Sequence, residues 1–231
     1  MKIWNFFVYQ PLVALGGINI GTSQITNKEF YYLYGKELVT MNKKTKAVDK
    51  ATYHLIISTL RSGFEYQGVH HKPNQRVATV LVLEYNLGLR IGDILQLRLD
   101  SICYESGRYR LDIVEQKTKK ERCFTVPTPV YEFIIQYAEK NNISPQARLF
   151  PISARVVNKT LKMVCDYLGV DGIGTHSFRK AFATNIYKNS DCNIELVRTL
   201  LQHSSCAVTQ RYINISSKEI EEALQNHINI I

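Results

Sequence analysis

The chain has 231 residues, 45% of them hydrophobic, so it can bury a core in one or two domains. Its 29 Lys and Arg residues outnumber its 20 Asp and Glu residues, and the resulting charge of +9 favours a polyanionic partner, nucleic acid being the most economical choice. No apolar run reaches the roughly 18 residues of a membrane span, and five cysteines without a C-x-x-C pair argue against a disulfide framework or zinc ribbon and for reduced thiols in the cytoplasm.

Residues 1–46 differ in character from the rest of the chain. No charged side chain occurs between residues 3 and 27, and polar interruptions with no clear cleavage site disfavour a signal peptide. The basic run at 42–46 is typical of a linker or of a strap that contacts DNA. We therefore predict a short atypical N-terminal segment over 1–46 and the main domain over 47–231. Met41, just before the basic run, suggests the hypothesis that the functional chain starts there.

Regular helical patterns begin after residue 46. Asp49 is placed to cap a helix that runs to about Arg61. Residues 74–87 repeat apolar side chains at helical spacing, and Gly88 follows where a left-handed C-cap is expected. A short helix is predicted over 93–97. The apolar face of the first helix is predicted to comprise Ala51, Leu55, Ile56 and Leu60.

Two alternating runs, 109–115 and 122–126, predict an antiparallel hairpin with the lysine-rich stretch 117–120 at its tip and prolines at its end. The pattern therefore indicates an α+β protein, mostly α-helical with one small antiparallel sheet or hairpin. Further helices are predicted near 130–141, 153–168, 176–188, 193–202 and 217–231.

Three basic residues are candidates for binding a phosphate. Arg90 follows a glycine that ends an apolar helix, and a guanidinium can grip a phosphate with two donors, although an ordinary surface arginine would fit the same place. His176 and Arg179 begin a helix that Thr175 is placed to cap, and their i,i+3 spacing puts them on one face. A helix N-terminus favours an anion, but a surface histidine beside a basic helix is the plainer interpretation.

Three further residues could complete a phosphoryl-transfer site. His203 closes a helix, where it could donate to a phosphoryl oxygen or simply face the helix dipole. Tyr212 is one of 14 tyrosines, but its polar neighbours are unlike those of a core aromatic, and a tyrosine nucleophile conserves the phosphodiester bond energy. Lys117, at the hairpin tip, can protonate a leaving oxygen or contact DNA without chemistry. Its close competitors are Lys119, Lys120 and Arg122.

Each element alone is a weak signal, but the order Arg, Lys, His-x-x-Arg, His, Tyr is specific. In order and spacing the sequence resembles the tyrosine recombinase (phage integrase) family over 47–231, the length of its catalytic domain. The matching segments are the first arginine box at 84–102, the lysine hairpin at 114–127, the second box at 175–184, and the third box with the nucleophile at 200–214.

The resemblance implies the tyrosine recombinase catalytic-domain fold and a site-specific DNA recombinase of the integrase or invertase type, with no cofactor and no metal. Tyr212 would attack a phosphate of double-stranded DNA, form a 3′-phosphotyrosyl bond and free a 5′-hydroxyl. Arg90, Arg179 and His203 would bind the non-bridging oxygens. Lys117 would be the general acid, and His176 would act as base or proton relay.

The sequence departs from the family pattern in several places. Gln202 replaces the glycine before the third-box histidine, and Ser177 and Lys180 replace the usual Asp and His of the second box. Asp93, where the family often has Glu, is expected to support the site from behind. Residues 1–46 lack the pattern of the helical core-binding domain, so the chain resembles either the short stand-alone recombinases that invert fimbrial promoters or a remnant of a longer integrase.

The resemblance also implies partners and a location. Protomers that are monomeric when free would form a tetramer on paired DNA sites and exchange their C-terminal helices, with DNA-bending proteins as accessory partners. The protein would be bacterial or phage-encoded and would act in the cytoplasm, on the nucleoid. Two alternatives stay open, a topoisomerase IB-like relaxing enzyme and a DNA-binding module without turnover. The small size and the C-terminal stripe argue against the first, and the intact catalytic set argues against the second. That stripe, which equally suits a local core helix, comprises Ile220, Ala223, Leu224, His227 and Ile228.

Overall fold

The computed structural model describes residues 45–213, 215 and 217–227, which belong to one unit spanning Lys43–Ile231. This confirms the predicted α+β class, mostly helical with small antiparallel sheets. The helices are α1 Lys50–Ser62, α2 Gln75–Leu87, α3 Ile91–Ile94, α4 Thr128–Lys140, α5 Ala154–Leu168, α6 Thr175–Asn189, α7 Ile194–Leu201, α8 Cys206–Gln210 and α9 Ser217–His227. The strands are β1 Phe64–Tyr66, β2 Val69–His71, β3 Ile102–Glu105, β4 Arg108–Val114 and β5 Glu121–Val126, and a 3₁₀ turn covers Leu99–Ser101.

Only the last two residues of the predicted N-terminal segment are described. The rest of 1–46, including Met41, lies outside the described residues, so the boundary at 46/47 stays a prediction. The backbone N–H of Lys46 donates to the carbonyl of Gly172 at 3.0 Å, and that of Val48 donates to the carbonyl of Ser177 at 3.2 Å. The end of the predicted linker is therefore held against the loop and first turn that begin α6.

Helix α1 begins as predicted, because the Asp49 carboxylate accepts a hydrogen bond from the Thr52 N–H at 2.9 Å. The predicted apolar face is wrong at Ala51 and Leu55, which are exposed. The core instead takes a stripe rotated by about one residue, since the buried positions are Ile56, Ile57, Thr59 and Leu60.

Helix α2 forms the centre of the core. It contacts α1, α5 and α6, and its apolar side chains are buried nearly all round rather than on one stripe. Asn74 caps its start by accepting the Val77 N–H at 3.0 Å, and Gly88 ends it in the predicted left-handed conformation, with φ 59°. The fully buried members include Val77, Ala78, Val80, Leu81 and Leu83.

The sequence predicted one hairpin, whereas the described residues form two sheets. Strand β4 lies between β3 and β5 in an antiparallel sheet, and the Tyr109 ring stacks on Tyr131 of α4 with 3.6 Å between centroids. Strands β1, β2 and β3 were missed because they are only three or four residues long, which is too short for an alternating pattern to be recognised, and because β2 and β3 are mostly exposed. The antiparallel β4–β5 pair itself is confirmed.

Several helix boundaries differ from the prediction. Helix α3 begins at Ile91, and α4 begins at Thr128, because Pro129 fits a first turn in which its missing N–H costs nothing. Gly174, not Thr175, is the N-cap of α6, and the Ser177 hydroxyl accepts the Gly174 N–H at 3.1 Å. Helix α8 was not predicted. Residues 228–231 of the predicted last helix lie outside the described residues.

Candidate active site

Arg90 projects from the rigid end of α2. A Cβ on Gly88 would lie 2.3 Å from a ring carbon of Phe182, so the turn that precedes Arg90 requires a glycine both for its positive φ and for space. Leu89 is fully buried and anchors the turn. Arg90 then becomes the N-cap of α3, with 16% of its side chain exposed. Solvent, and therefore a ligand, can reach this guanidinium.

Arg179 has no exposed surface. Its guanidinium donates to the carbonyls of Gly88 and of Leu201, the latter at 3.0 Å, while its Nε is buried with no hydrogen-bond partner. Burial, reinforced by the positive charges of Arg90 and Arg122, lowers the pKa of Arg179 to about 10. The guanidinium therefore stays charged at neutral pH, and a nearby anion would stabilise this buried positive charge.

His203 is buried between Arg179 and the start of α8. Its Nδ1 lies 3.2 Å from the Thr209 hydroxyl and its Nε2 lies 3.4 Å from Nη2 of Arg179. Because a guanidinium only donates, Nε2 is the acceptor there and Nδ1–H donates to Thr209. Burial and the charges of Arg179 and Arg90 lower the pKa of His203 to about 4, so the imidazole is neutral at pH 7.

Tyr212 packs against these two residues. Its ring centroid lies 4.5 Å from that of His203 and 5.9 Å from Cζ of Arg179. The Thr184 hydroxyl donates to the Tyr212 carbonyl at 3.4 Å, and the Tyr212 N–H donates to the Thr209 carbonyl at 2.8 Å, which ties the segment to α6 and α8. Arg179, His203 and Tyr212, three of the six predicted site residues, thus lie close together in one chain.

Lys117 and His176 are both exposed, unlike the buried Arg179. Partial desolvation, followed by the positive charges of Arg179 and Lys117, lowers the pKa of His176, which places these groups within electrostatic reach of one another. The i,i+3 spacing predicted that His176 and Arg179 lie on one face of the helix. In the structure Arg179 is buried in the core, whereas His176 is exposed to solvent. Lys119 and Lys120 are exposed too, so the choice of Lys117 among the lysines stays a prediction.

The sequence analysis did not select Glu115 or Thr209, and it weighed Arg122 only as a competitor of Lys117. Arg122 is 3% exposed, lies 3.5 Å from Glu115, and donates through Nη2 to the Leu200 carbonyl at 2.5 Å. The alternating pattern of β5 could have predicted that Arg122 is buried, because residues 122, 124 and 126 share the inward face of the strand.

Two residues flagged as departures have clear structural places. Asp93 is buried and accepts the Gln116 N–H at 2.8 Å, so it supports the β4–β5 turn. Gln202 stands at the position where the family usually has glycine, and it adopts the left-handed conformation, with φ 51°. Its side-chain amide donates to the Glu121 carbonyl at 3.2 Å.

In the part of the chain described, no group of three or more His, Cys, Asp or Glu side chains is placed to hold a metal ion. None of the helices there is long and apolar enough to cross a membrane.

Comparison with known proteins shows the family of this chain. The profile of the phage integrase family matches residues 46–219. The chain is 30% identical over 168 residues to the probable integrase/recombinase YoeC of Bacillus subtilis, covering 69% of this chain and 91% of that protein. It is 25% identical over 162 residues to the tyrosine recombinase XerA of Pyrococcus furiosus, covering 67% of this chain and 55% of that protein. The chain thus spans about half the length of several curated relatives.

Solved structures show the same fold. The XerH site-specific recombinase bound to palindromic difH substrate superposes with a TM-score of 0.62 at 19% identity, covering 78% of this chain and 52% of that one. The catalytic domain of bacteriophage HP1 integrase superposes with a TM-score of 0.55 at 16% identity, covering 79% of this chain and 95% of that one. The chain therefore belongs to the phage integrase family, a tyrosine recombinase by descent and by fold.

Proposed function

We propose that this chain cuts and rejoins double-stranded DNA at a specific site through a covalent bond between Tyr212 and a DNA 3′-phosphate. The observation that carries the proposal is the packing of the Tyr212 ring against His203 and Arg179 of the same chain. A tyrosine placed in this way is supplied in cis, so each protomer would cleave the strand that it binds. Residues 47–231 would form the catalytic domain, and 1–46 a short preceding segment.

The chemistry would rest on positioning and charge. The Tyr212 hydroxyl gives its proton to His176 as its oxygen attacks phosphorus, the bond from phosphorus to the 5′-oxygen breaks, and Lys117 gives a proton to that oxygen. Arg90 and Arg179 neutralise the non-bridging oxygens as negative charge accumulates. Attack by the freed 5′-hydroxyl on the phosphotyrosine reverses the steps and rejoins DNA. Once the phosphate is seated against them, these cations need no further rearrangement as the charge develops.

The two histidines would divide the proton transfers. In the free protein Nε2 of His203 is an acceptor, so its predicted role as a third donor to the phosphate requires that it first gain a proton or change tautomer. A bound phosphate favours this, since its negative charge offsets the neighbouring arginine charges that hold the pKa of His203 low. His176 is exposed, and the lowering of its pKa favours the neutral form that can act as base or relay near Tyr212.

Arg179 cannot touch a ligand in the described conformation, because none of its surface is exposed. Tyr212 is one of the groups that cover it. Seating of the scissile phosphate would therefore move the Tyr212 ring aside, and would at the same time bring its hydroxyl toward phosphorus.

Assembly into a tetramer on paired sites is part of the proposal. Helix α9 exposes Ile220 and Leu224, at 53% and 65%, which are spaced for one apolar stripe. In the described chain an ion pair of 2.6 Å between Lys188 and Glu219 ties α9 to α6. Exchange of α9 between protomers would cover the stripe. DNA-bending accessory proteins and a location on the nucleoid would accompany this function.

A covalent-adduct assay tests the proposal. Supercoiled plasmid carrying the DNA that flanks the gene is incubated with protein in EDTA and quenched with SDS, and DNA 3′ ends are examined for attached protein. We expect an adduct that is lost in Tyr212→Phe and retained in Tyr104→Phe, a matched control because Tyr104 is 67% exposed on β3. Product topology then separates recombination from simple relaxation of supercoils.

An adduct that survives Tyr212→Phe would assign the nucleophile to another residue. Binding without any adduct, even after fusion of a core-binding domain, would favour a DNA-binding protein without turnover.

A further inference from the structure

Glu115 is a buried carboxylate between two parts of the candidate site. It follows the last residue of β4, and its side chain has no exposed surface. One carboxylate oxygen, Oε2, pairs with Nη1 of Arg90 and also accepts the Thr118 hydroxyl at 2.7 Å. The other, Oε1, lies 3.5 Å from Nη1 of Arg122. Glu115 therefore contacts the phosphate-binding side and the lysine turn at once.

The backbone of Glu115 also closes that turn. Its N–H donates to the Lys120 carbonyl and its carbonyl accepts the Lys119 N–H, both at 2.9 Å. Lys117 lies inside the six-residue turn that these bonds and the Thr118 hydroxyl define. On the neighbouring residue, the Gln116 N–H donates to Asp93, three residues after Arg90. The turn is thus attached to the start of α3 at two points.

The carboxylate is held in its charged form. Burial alone would raise the pKa of Glu115, but the hydrogen bonds from Thr118 and Arg90 and the charges of Arg90 and Arg122 outweigh burial and lower it. Since a buried charge that loses its partner is costly, Arg90 and the turn are held in one fixed arrangement as long as Glu115 is present.

We propose that Glu115 is a positioning residue for strand cleavage, which through Thr118 fixes the Lys117 turn relative to Arg90. The inference rests on the proposed function, in which Lys117 donates a proton from its ammonium to the departing 5′-oxygen. Glu115 transfers no proton and touches no substrate. It makes phosphate binding and leaving-group protonation depend on the same geometry, so that a phosphate seated on Arg90 has its 5′-oxygen within reach of Lys117.

The test uses the leaving group. In a duplex whose scissile phosphate carries sulfur in place of the bridging 5′-oxygen, the thiolate leaves without a proton, so a defect in general-acid catalysis disappears. Thr118→Val removes the hydroxyl that connects Glu115 to the turn while keeping its bulk. We expect the Thr118→Val variant to cleave the oxygen substrate roughly tenfold more slowly, a part of the 10²–10⁴-fold that a general acid typically contributes, and to cleave the sulfur substrate at the wild-type rate.

Three further variants complete the design. Lys117→Ala should show a larger defect with the same sulfur rescue, and the double variant with Thr118→Val should be no worse than Lys117→Ala alone. Glu115→Gln should slow cleavage of the oxygen substrate more than cleavage of the sulfur substrate. Glu105→Gln is the matched control, since Glu105 pairs with Arg110 on the exposed face of the same sheet, and it should cleave both substrates normally.

Equal slowing of Thr118→Val on both substrates would overturn the inference, because a loss of general structure is not rescued by a better leaving group. Lys117→Ala without sulfur rescue would overturn it as well, since the turn would then carry no acid. A wild-type chain that forms no Tyr212 adduct on either substrate would instead reject the proposed function, and this inference with it.

Discussion

Acidification should destabilise the protein through His203. The buried imidazole has a pKa of about 4 in the folded chain, against 6.5 for an ordinary histidine. Below pH 6.5 the unfolded chain takes up a proton that the folded chain does not, so protonation favours unfolding. The stability that His203 contributes as a neutral group is therefore present above that pH and is lost progressively as the pH falls toward 4.

The size of the effect follows from the two pKa values. Between about pH 7.5 and about pH 5, the difference in proton binding at this one site lowers the free energy of unfolding by about 2 kcal/mol. A change of that size is a large fraction of the stability of an ordinary domain. The change in the free energy of unfolding that is due to His203 should be measurable once the contributions of the other titrating groups have been subtracted.

His203→Gln makes the subtraction possible, because glutamine retains a donor and an acceptor but does not titrate. Urea unfolding of both proteins is measured across the pH range, and the gap in the free energy of unfolding is plotted against pH. At neutral pH the wild type should be the more stable. The gap should narrow by about 2 kcal/mol by pH 5.

A gap that stays constant with pH would refute the reasoning, since the native histidine would then titrate as it does in the unfolded chain. A gap that widens as the pH falls would show that the folded site prefers the imidazolium. Burial beside Arg179 would then not be the dominant influence on the pKa of His203.

Three other predictions follow from the core. Leu81→Ala should lower the free energy of unfolding by about 3 kcal/mol, because Leu81 is fully buried in α2, whereas Leu55→Ala, at a side chain 48% exposed, should cost less than about 1 kcal/mol; urea titration compares them. Gly88→Ala should lower the midpoint of thermal unfolding, since its Cβ would meet Phe182 at 2.3 Å and its φ is 59°, and an unchanged midpoint would contradict this. Cys165, buried and with its pKa raised by burial to about 11, should resist alkylation in the native protein while the exposed cysteines react, as mass spectrometry can show; rapid labelling of Cys165 would indicate local opening.

The elements that could be predicted were those set by local rules. Helix α2 and its end at Gly88 follow from apolar spacing and from the need for a left-handed residue, so the position of Arg90 on a rigid turn was predictable. The face of α1 was not, because Leu55 and Ile57 are equally apolar and only the packing against α2 and α5 decides which is buried. Short exposed strands such as β3 carry too few residues for a pattern.

The missed site residues depend on contacts between distant parts of the sequence. Glu115 and Arg90 are 25 residues apart, and their pairing exists only because the sheet returns the chain to the start of α3. The tautomer of His203 depends on Thr209 in an unpredicted helix and on Arg179 from another. Family resemblance could name the titrating groups, but their protonation states required the three-dimensional surroundings.

The covering of Arg179 has a consequence for a protein with so much positive charge. A net charge of +9 favours association with DNA of any sequence, and most such encounters would be with DNA other than the target site. Under the proposed function, a Tyr212 ring that lies beside a guanidinium with no exposed surface would keep association by charge alone from assembling the cleavage chemistry. Sliding along DNA would then proceed without strand breaks until a fitting site moves the tyrosine out.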